Sequence, residues 1–129
     1  MRVLGSATLI ILCVLMIAAN PAQKRKAKDP CSHAQATADI IECEEREYNR
    51  ADAELNRVYR QLVSKLADEG HKVALKKAQQ AWIKYRAANC EYKSYQSQDM
   101  RLYPAVSTRC LAWMIKERTN ELRQMLKEN

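Results

Sequence analysis

The chain has 129 residues, with 22 Lys and Arg against 15 Asp and Glu for a formal net charge of +7. This length holds one domain and excludes a multi-domain enzyme; 47% apolar and 29% charged residues exclude a disordered chain. Glycine falls far below the usual ~7%, and beyond residue 31 only Gly70 and Pro104 remain as turn formers. β-Sandwiches and Gly-rich phosphate loops need more positive-φ positions than that. The fold is therefore expected to be all-α.

Met1-Arg2 opens an uncharged apolar run from Val3 to Ala19, with small residues at Ala18, Ala19 and Ala22. The pattern is that of a secretory signal peptide over residues 1–22, cut between about residues 19 and 23. Cys13 follows Leu12 rather than a small residue, which suits lipid attachment poorly. Residues 23–30 form a basic linker with Lys24, Arg25, Lys26 and Lys28. Positive clusters favour the cytoplasmic side, so an uncleaved inner-membrane anchor is the alternative. Cysteine usage favours export to the periplasm or beyond. Without Cys13 an even set remains (Cys31, Cys43, Cys90 and Cys110), as in small domains of oxidising compartments. There is no CxxC and no His pair, so neither a metal nor a cofactor is expected. Loss of Arg2 with the leader lowers the net charge to +6, and Lys24–Asp29 carries +3 of it.

The mature chain reads as three helices in one bundle built on a long helical hairpin. The first, from Thr37 or Asp39 to Leu66, has an apolar stripe at Ile41, Tyr48, Ala51, Leu55, Val58/Tyr59, Leu62 and Leu66. Asp39 and Glu42 resemble a capping box, and Gly70 suits a left-handed C-cap. The second runs from Lys72 to Tyr92, with Leu75, Ala78, Trp82, Tyr85 and Asn89 facing inward. Residues 93–103 lose the period and form a polar, Tyr-rich loop. Pro104 opens the third helix, which reaches Lys127 with Leu111, Met114/Ile115, Arg118, Leu122 and Met125/Leu126 inward.

A tight turn near Gly70 makes the first two helices an antiparallel hairpin. Folding back there sets Asp52 opposite Arg86 and Asn56 near Ile83. Gln79, Trp82, Arg86 and Cys90 share one stripe of the second helix; Asp52, Leu55, Asn56 and Tyr59 share one of the first. Polar residues in such stripes need partners, since an unpaired buried group costs ~1–3 kcal/mol. Asp52, Asn56, Gln79, Trp82, Arg86 and Arg118 are thus expected to form a structural polar seam.

The order Cys31-x11-Cys43, Ala51-Asp52-Ala53-Glu54-Leu55-Asn56-x2-Tyr59, Ala78-Gln79-x2-Trp82-x3-Arg86-x3-Cys90, then Cys110 and Arg118 carries a resemblance. It is similar to the LprI-type lysozyme-inhibitor N-terminal domain family, small exported helical proteins of bacteria. The resemblance covers about residues 31–126 and implies inhibition of lysozyme at the bacterial envelope. The segment before Cys110 lacks the Gly-rich character common in that family.

Four cysteines allow three pairings. Cys90 ends the second helix and Cys110 begins the third, which favours a local bridge across the loop. Cys31 precedes the first helix and Cys43 lies one turn inside it. The competing Cys43–Cys90 pair is about seven residues out of register, ~10 Å along the axis, beyond the ~4.4–6.8 Å that a disulfide spans. The expected bridges are Cys31–Cys43 and Cys90–Cys110, and the resemblance agrees.

No enzymatic constellation stands out. His33 and His71 have no nucleophile or ligand partner in sequence, and the mild interleaved charge argues against nucleic acid. Glu42, Glu44, Glu45 and Glu47 read as a solvated face near a helix start. The first functional reading is a binding protein that blocks a lysozyme-type hydrolase through Tyr95, Gln98, Asp99 and Tyr103 of the 93–103 loop, residue types that recognition loops favour. Common lysozymes are basic, so a +6 inhibitor meets long-range repulsion. The alternative is an envelope-associated scaffolding module whose basic tail touches anionic lipid or cell wall.

Overall fold

A computed structural model describes residues 29–128. The signal-peptide assignment and the basic residues Lys24–Lys28, on which the scaffolding reading depends, lie outside them. The described residues form α1 (Thr37–Lys65), α2 (Glu69–Ser94) and α3 (Tyr103–Glu128), with a 3₁₀ turn at Tyr95–Ser97. No helix among them is long and apolar enough to cross a membrane.

The first turn is built differently from expectation. Leu66 and Asp68 are extended, and Asp68 accepts the His71 backbone N–H at 2.7 Å through Oδ1. Asp68 is thus the N-cap of α2, satisfying one of the amides a helix start leaves unpaired. Gly70 lies inside the first turn of α2 and closes nothing. A Cβ there would sit 3.1 Å from the capping oxygen. The capping box at Asp39 is also absent: α1 starts after Ala36, with no side-chain cap.

Leu55, Val58 and Leu62 of α1, with Leu66 just past its end, pack with Ile115 and Leu122 of α3, and Leu75 of α2 joins them near the turn. The dominant interface is α1 with α3. Consecutive helices reverse direction, so α1 and α3 run parallel. Glu44, Ala51, Leu55, Val58 and Leu62 face Ala105, Ala112, Ile115, Thr119 and Leu122, both at three-to-four spacing. Ion pairs flank the seam in the same order along both helices: Arg109–Glu44, Lys116–Glu47 and Arg123–Glu54. Apolar stripes at this spacing, edged by opposite charges, fix a register as they do in coiled coils.

In α2 the buried positions are Leu75, Gln79, Cys90 and Ser94, while Ala78 is exposed and Tyr85 is 60% exposed. The inward stripe expected through Ala78 and Tyr85 is displaced around the helix. The cause is that α2 meets α3 through polar and sulfur-bearing side chains. Asn89 Nδ2 donates to Met114 Sδ at 3.1 Å, Arg118 Nε of α3 donates to Gln79 Oε1 at 3.0 Å, and Cys90 is bridged to Cys110. α2 runs on to Ser94, so only residues 98–102 remain as irregular chain before α3.

Both expected disulfides are present, Cys31–Cys43 with Cα atoms 5.8 Å apart and Cys90–Cys110 at 5.6 Å. A core this small gains most from such bridges, each contributing roughly 2–4 kcal/mol.

Candidate functional site

Gln79, Trp82, Arg86 and Arg118 come together, whereas the Asp52 and Asn56 side chains bond to each other. Arg118, 9% exposed, donates from Nε to Gln79 Oε1 at 3.0 Å and from Nη1 to Glu121 at 2.8 Å. The Arg118 and Arg86 guanidinium groups lie 5.9 and 5.1 Å from the Trp82 ring centroid. A desolvated cation over an aromatic face gains ~2 kcal/mol. Trp82 is half-buried against the core.

Asp52 and Arg86 make no ion pair. Asp52 instead accepts from Asn56 Nδ2, one turn along its own helix, at 2.9 Å. Arg86 keeps its buried Nε without a hydrogen-bond partner and leans on Trp82. The physical reason is the weak packing of α1 on α2, which leaves a groove of about 260 Å³ between them. Asp52, Asn56, Tyr59, Gln79 and Arg86 all line it. These residues line one groove between the two helices, and that groove is open.

The loop forms the second candidate region. Tyr95 is 66% exposed, and Gln98, Asp99 and Met100 are exposed, whereas Tyr103 is half-buried in the first turn of α3. Successive turns hold the backbone: Gln98 N–H to the Tyr95 carbonyl, Met100 to Ser97, and Tyr103 to Met100, at 2.9–3.2 Å. The Cys90–Cys110 bridge ties the two helices that carry the loop. A loop ordered in this way loses less entropy on binding.

The largest surprise is at the other disulfide. Glu44, expected on a solvated face, is buried at 3% exposure. Arg109 Nε donates to its Oε1 at 2.7 Å, and Arg109 also pairs with Asp29 at 3.2 Å. The Glu44 hydrogen bond raises the Arg109 pKa, so the guanidinium stays charged. Asp29, Cys31 and Glu44 bring ligand-type atoms within 4.8 Å of one another. Cys31 is nevertheless spent in a disulfide and Arg109 bridges both carboxylates, so the chemistry of the cluster is that of an anchor for the N-terminal segment. Glu42 and Glu45 are exposed as expected, and Glu47 pairs with Arg50 and Lys116. His33 and His71 are both exposed.

Sequence reasoning missed Arg109, whose partner is 65 residues away. It also missed the exposure of Tyr92, at 82%, and of Trp113, over whose ring Lys93 Nζ lies 5.1 Å from the centroid. Trp113 gives no separate signal, because it falls beside the inward stripe of α3.

Fold and site together define a small disulfide-stapled three-helix domain. Its buried polar groups set helix register, and its exposed aromatic residues are Tyr85, Tyr92 and Tyr95 on α2 and the turn beyond, with Trp113 on α3. The chain belongs to the lysozyme inhibitor LprI family, which matches residues 27–122. It is also similar to an uncharacterized protein of Rhizobium meliloti (strain 1021), 32% identical over 138 residues that cover 98% of this chain and 96% of the relative. No solved structure matches the chain significantly.

Proposed function

We propose that this protein is an exported, non-enzymatic binding protein that docks on a lysozyme-type hydrolase and blocks it. The observation that carries the reading is membership in a family described as lysozyme inhibitors, across nearly the whole domain. The stapled loop supports it, with Tyr95, Gln98, Asp99 and Tyr103 as the recognition residues. Tyrosine supplies large contact area at low entropic cost, and the short polar residues adapt their hydrogen bonds. Export through the residue 1–22 leader fits the two disulfides, which persist in oxidising compartments. The unpartnered Arg86 Nε in the open groove offers a donor to an acidic or carbonyl group of the same partner.

The test is titration of the oxidised protein into a panel of lysozyme-type muramidases at physiological salt. Saturable loss of activity near molar equivalence is expected, with Tyr95→Ala or Asp99→Ala weakening inhibition by about tenfold or more. Against a basic hydrolase, added salt should raise the association rate by screening repulsion. Full activity of every muramidase in the presence of excess protein would overturn the reading.

A further inference from the structure

α2 carries a second periodic face that its own bundle leaves bare. Ala78, Ala81, Tyr85, Ala88, Tyr92 and Tyr95 recur at alternating steps of three and four, and all are exposed. Tyr85, Tyr92 and Tyr95 are the largest groups on it, each more than half exposed. The stripe stays continuous across the helix end, because Tyr95 keeps right-handed helical backbone. Leu75, Gln79, Cys90 and Ser94, the residues α2 buries, lie on another side of the helix. A three-to-four repeat of this length is the pattern by which one helix receives another.

We propose that two copies of this chain pair through this face, α2 against α2, antiparallel about a two-fold axis. Side-chain size selects that arrangement. The register that sets Tyr85 on Ala88 of the partner subunit also sets Tyr92 on Ala81 of the partner subunit. The same register sets Tyr95 on Ala78 of the partner subunit. Every layer then places one tyrosine against one alanine, as interdigitation requires. A parallel pair would instead stack tyrosine on tyrosine and leave voids at the alanines.

Charge selects the same register independently. Lys84 and Glu91 border the stripe on its solvent side, and their side chains form no ion pair among the described residues. In the proposed pairing Lys84 meets Glu91 of the partner subunit, and symmetry repeats the contact. Sliding one helix by a heptad puts Tyr85 on Ala81 of the partner subunit, but it also brings the two Lys84 ammonium groups together. Self-complementarity of one patch is what a two-fold interface needs. Six tyrosines, each offering ~150–250 Å² and largely exposed, contribute roughly 800 Å². With the alanines and lysine stems this approaches the ~1,200 Å² of a specific interface. The inference does not rest on the hydrolase reading: Gln98 and Asp99 lie past the last layer, and Tyr95 is the one residue that both would use.

Analytical ultracentrifugation of the purified, oxidised protein tests the pairing. Wild type should sediment at twice the chain mass. Lys84→Glu and Glu91→Lys should each weaken association by about tenfold, and the double exchange K84E/E91K should recover it to within ~3-fold. Tyr85→Arg, at an exposed position that leaves helix content unchanged by circular dichroism, should yield monomer. Monomeric wild type at high micromolar concentration overturns the proposal. So does a double exchange no tighter than either single variant, or a dimer indifferent to Tyr85→Arg.

Discussion

α1 meets its two neighbours in opposite ways. Against α3 it presents a dry aliphatic stripe edged by ion pairs in parallel register. Against α2 it presents Asp52, Asn56 and Tyr59 across an open groove. The same helix thus carries a face that builds the core and a face that only lines it. α2 is held mainly by Leu75 at one end, the Arg118–Gln79–Trp82 cluster in the middle and the Cys90–Cys110 bridge at the other end. A hydrophobic seam tolerates little change in volume, whereas a polar seam held by a few bonds fails when one bond is lost.

The sharpest way to test the contrast is to cut both faces of α1's surroundings. Leu122, fully buried between α1 and α3, should cost about 2–5 kcal/mol when replaced by alanine, from lost burial plus the cavity left behind. Asp52→Ala on the groove side should cost less than ~1 kcal/mol, because it removes only a local bond to Asn56. Urea melts of the two variants measure the ratio. Equal losses would mean that the groove is part of the core.

Removing the Cys90–Cys110 bridge as C90A/C110A should cost roughly 2–4 kcal/mol. The effect should be local. Amide exchange should rise in the last turns of α2 and the 98–102 loop while the α1–α3 seam stays protected. Uniform loss of protection across all three helices would show that α2 is no separate unit. Gln79→Ala is smaller, about 1–3 kcal/mol, as it strips the buried Arg118 Nε of its acceptor. Rescue by Gln79→Glu, which restores an acceptor, distinguishes the lost bond from lost packing.

The contrast also explains what the sequence could and could not reveal. α1 and α3 were legible because their buried positions are mostly apolar and recur at one period. In α2 two stripes share that period. The Ala and Tyr stripe looks like core and is exposed, while the core-facing stripe contains Gln79, Arg86 and Ser94, which apolar counting overlooks. Gly70 looked like a helix end because Asp68 gives the same signal at a helix start. Glu44 looked solvated because its partner Arg109 lies on another helix, and only the parallel packing of α3 brings the two together. The disulfides needed only local geometry, so they were readable from spacing. Of the irregular segment between α2 and α3, the presence was readable, but the retention of Lys93 and Ser94 in α2 was not.

The smallest effect probes the edge of the dry seam. Glu54 bridges Arg57 on its own helix and Arg123 on α3, and these bonds hold its carboxyl down at about 2 from an ordinary 4.5. Arg57 is the larger cause and Arg123 the lesser hydrogen-bond contribution, opposed by partial desolvation. A depressed carboxyl stabilises the fold in full above its unfolded value. That contribution fades as pH falls below about 4.5 and is gone once pH passes the folded value near 2. Arg123→Ala should therefore raise the Glu54 pKa only part of the way, since Arg57 remains, and Arg57→Ala should raise it further. Carboxyl chemical shifts followed by NMR from pH 6 to pH 2 read both. If Arg123→Ala leaves Glu54 titrating near 2, the cross-helix pair adds nothing, and the parallel register of α1 and α3 rests on their apolar stripes and the buried Glu44–Arg109 pair.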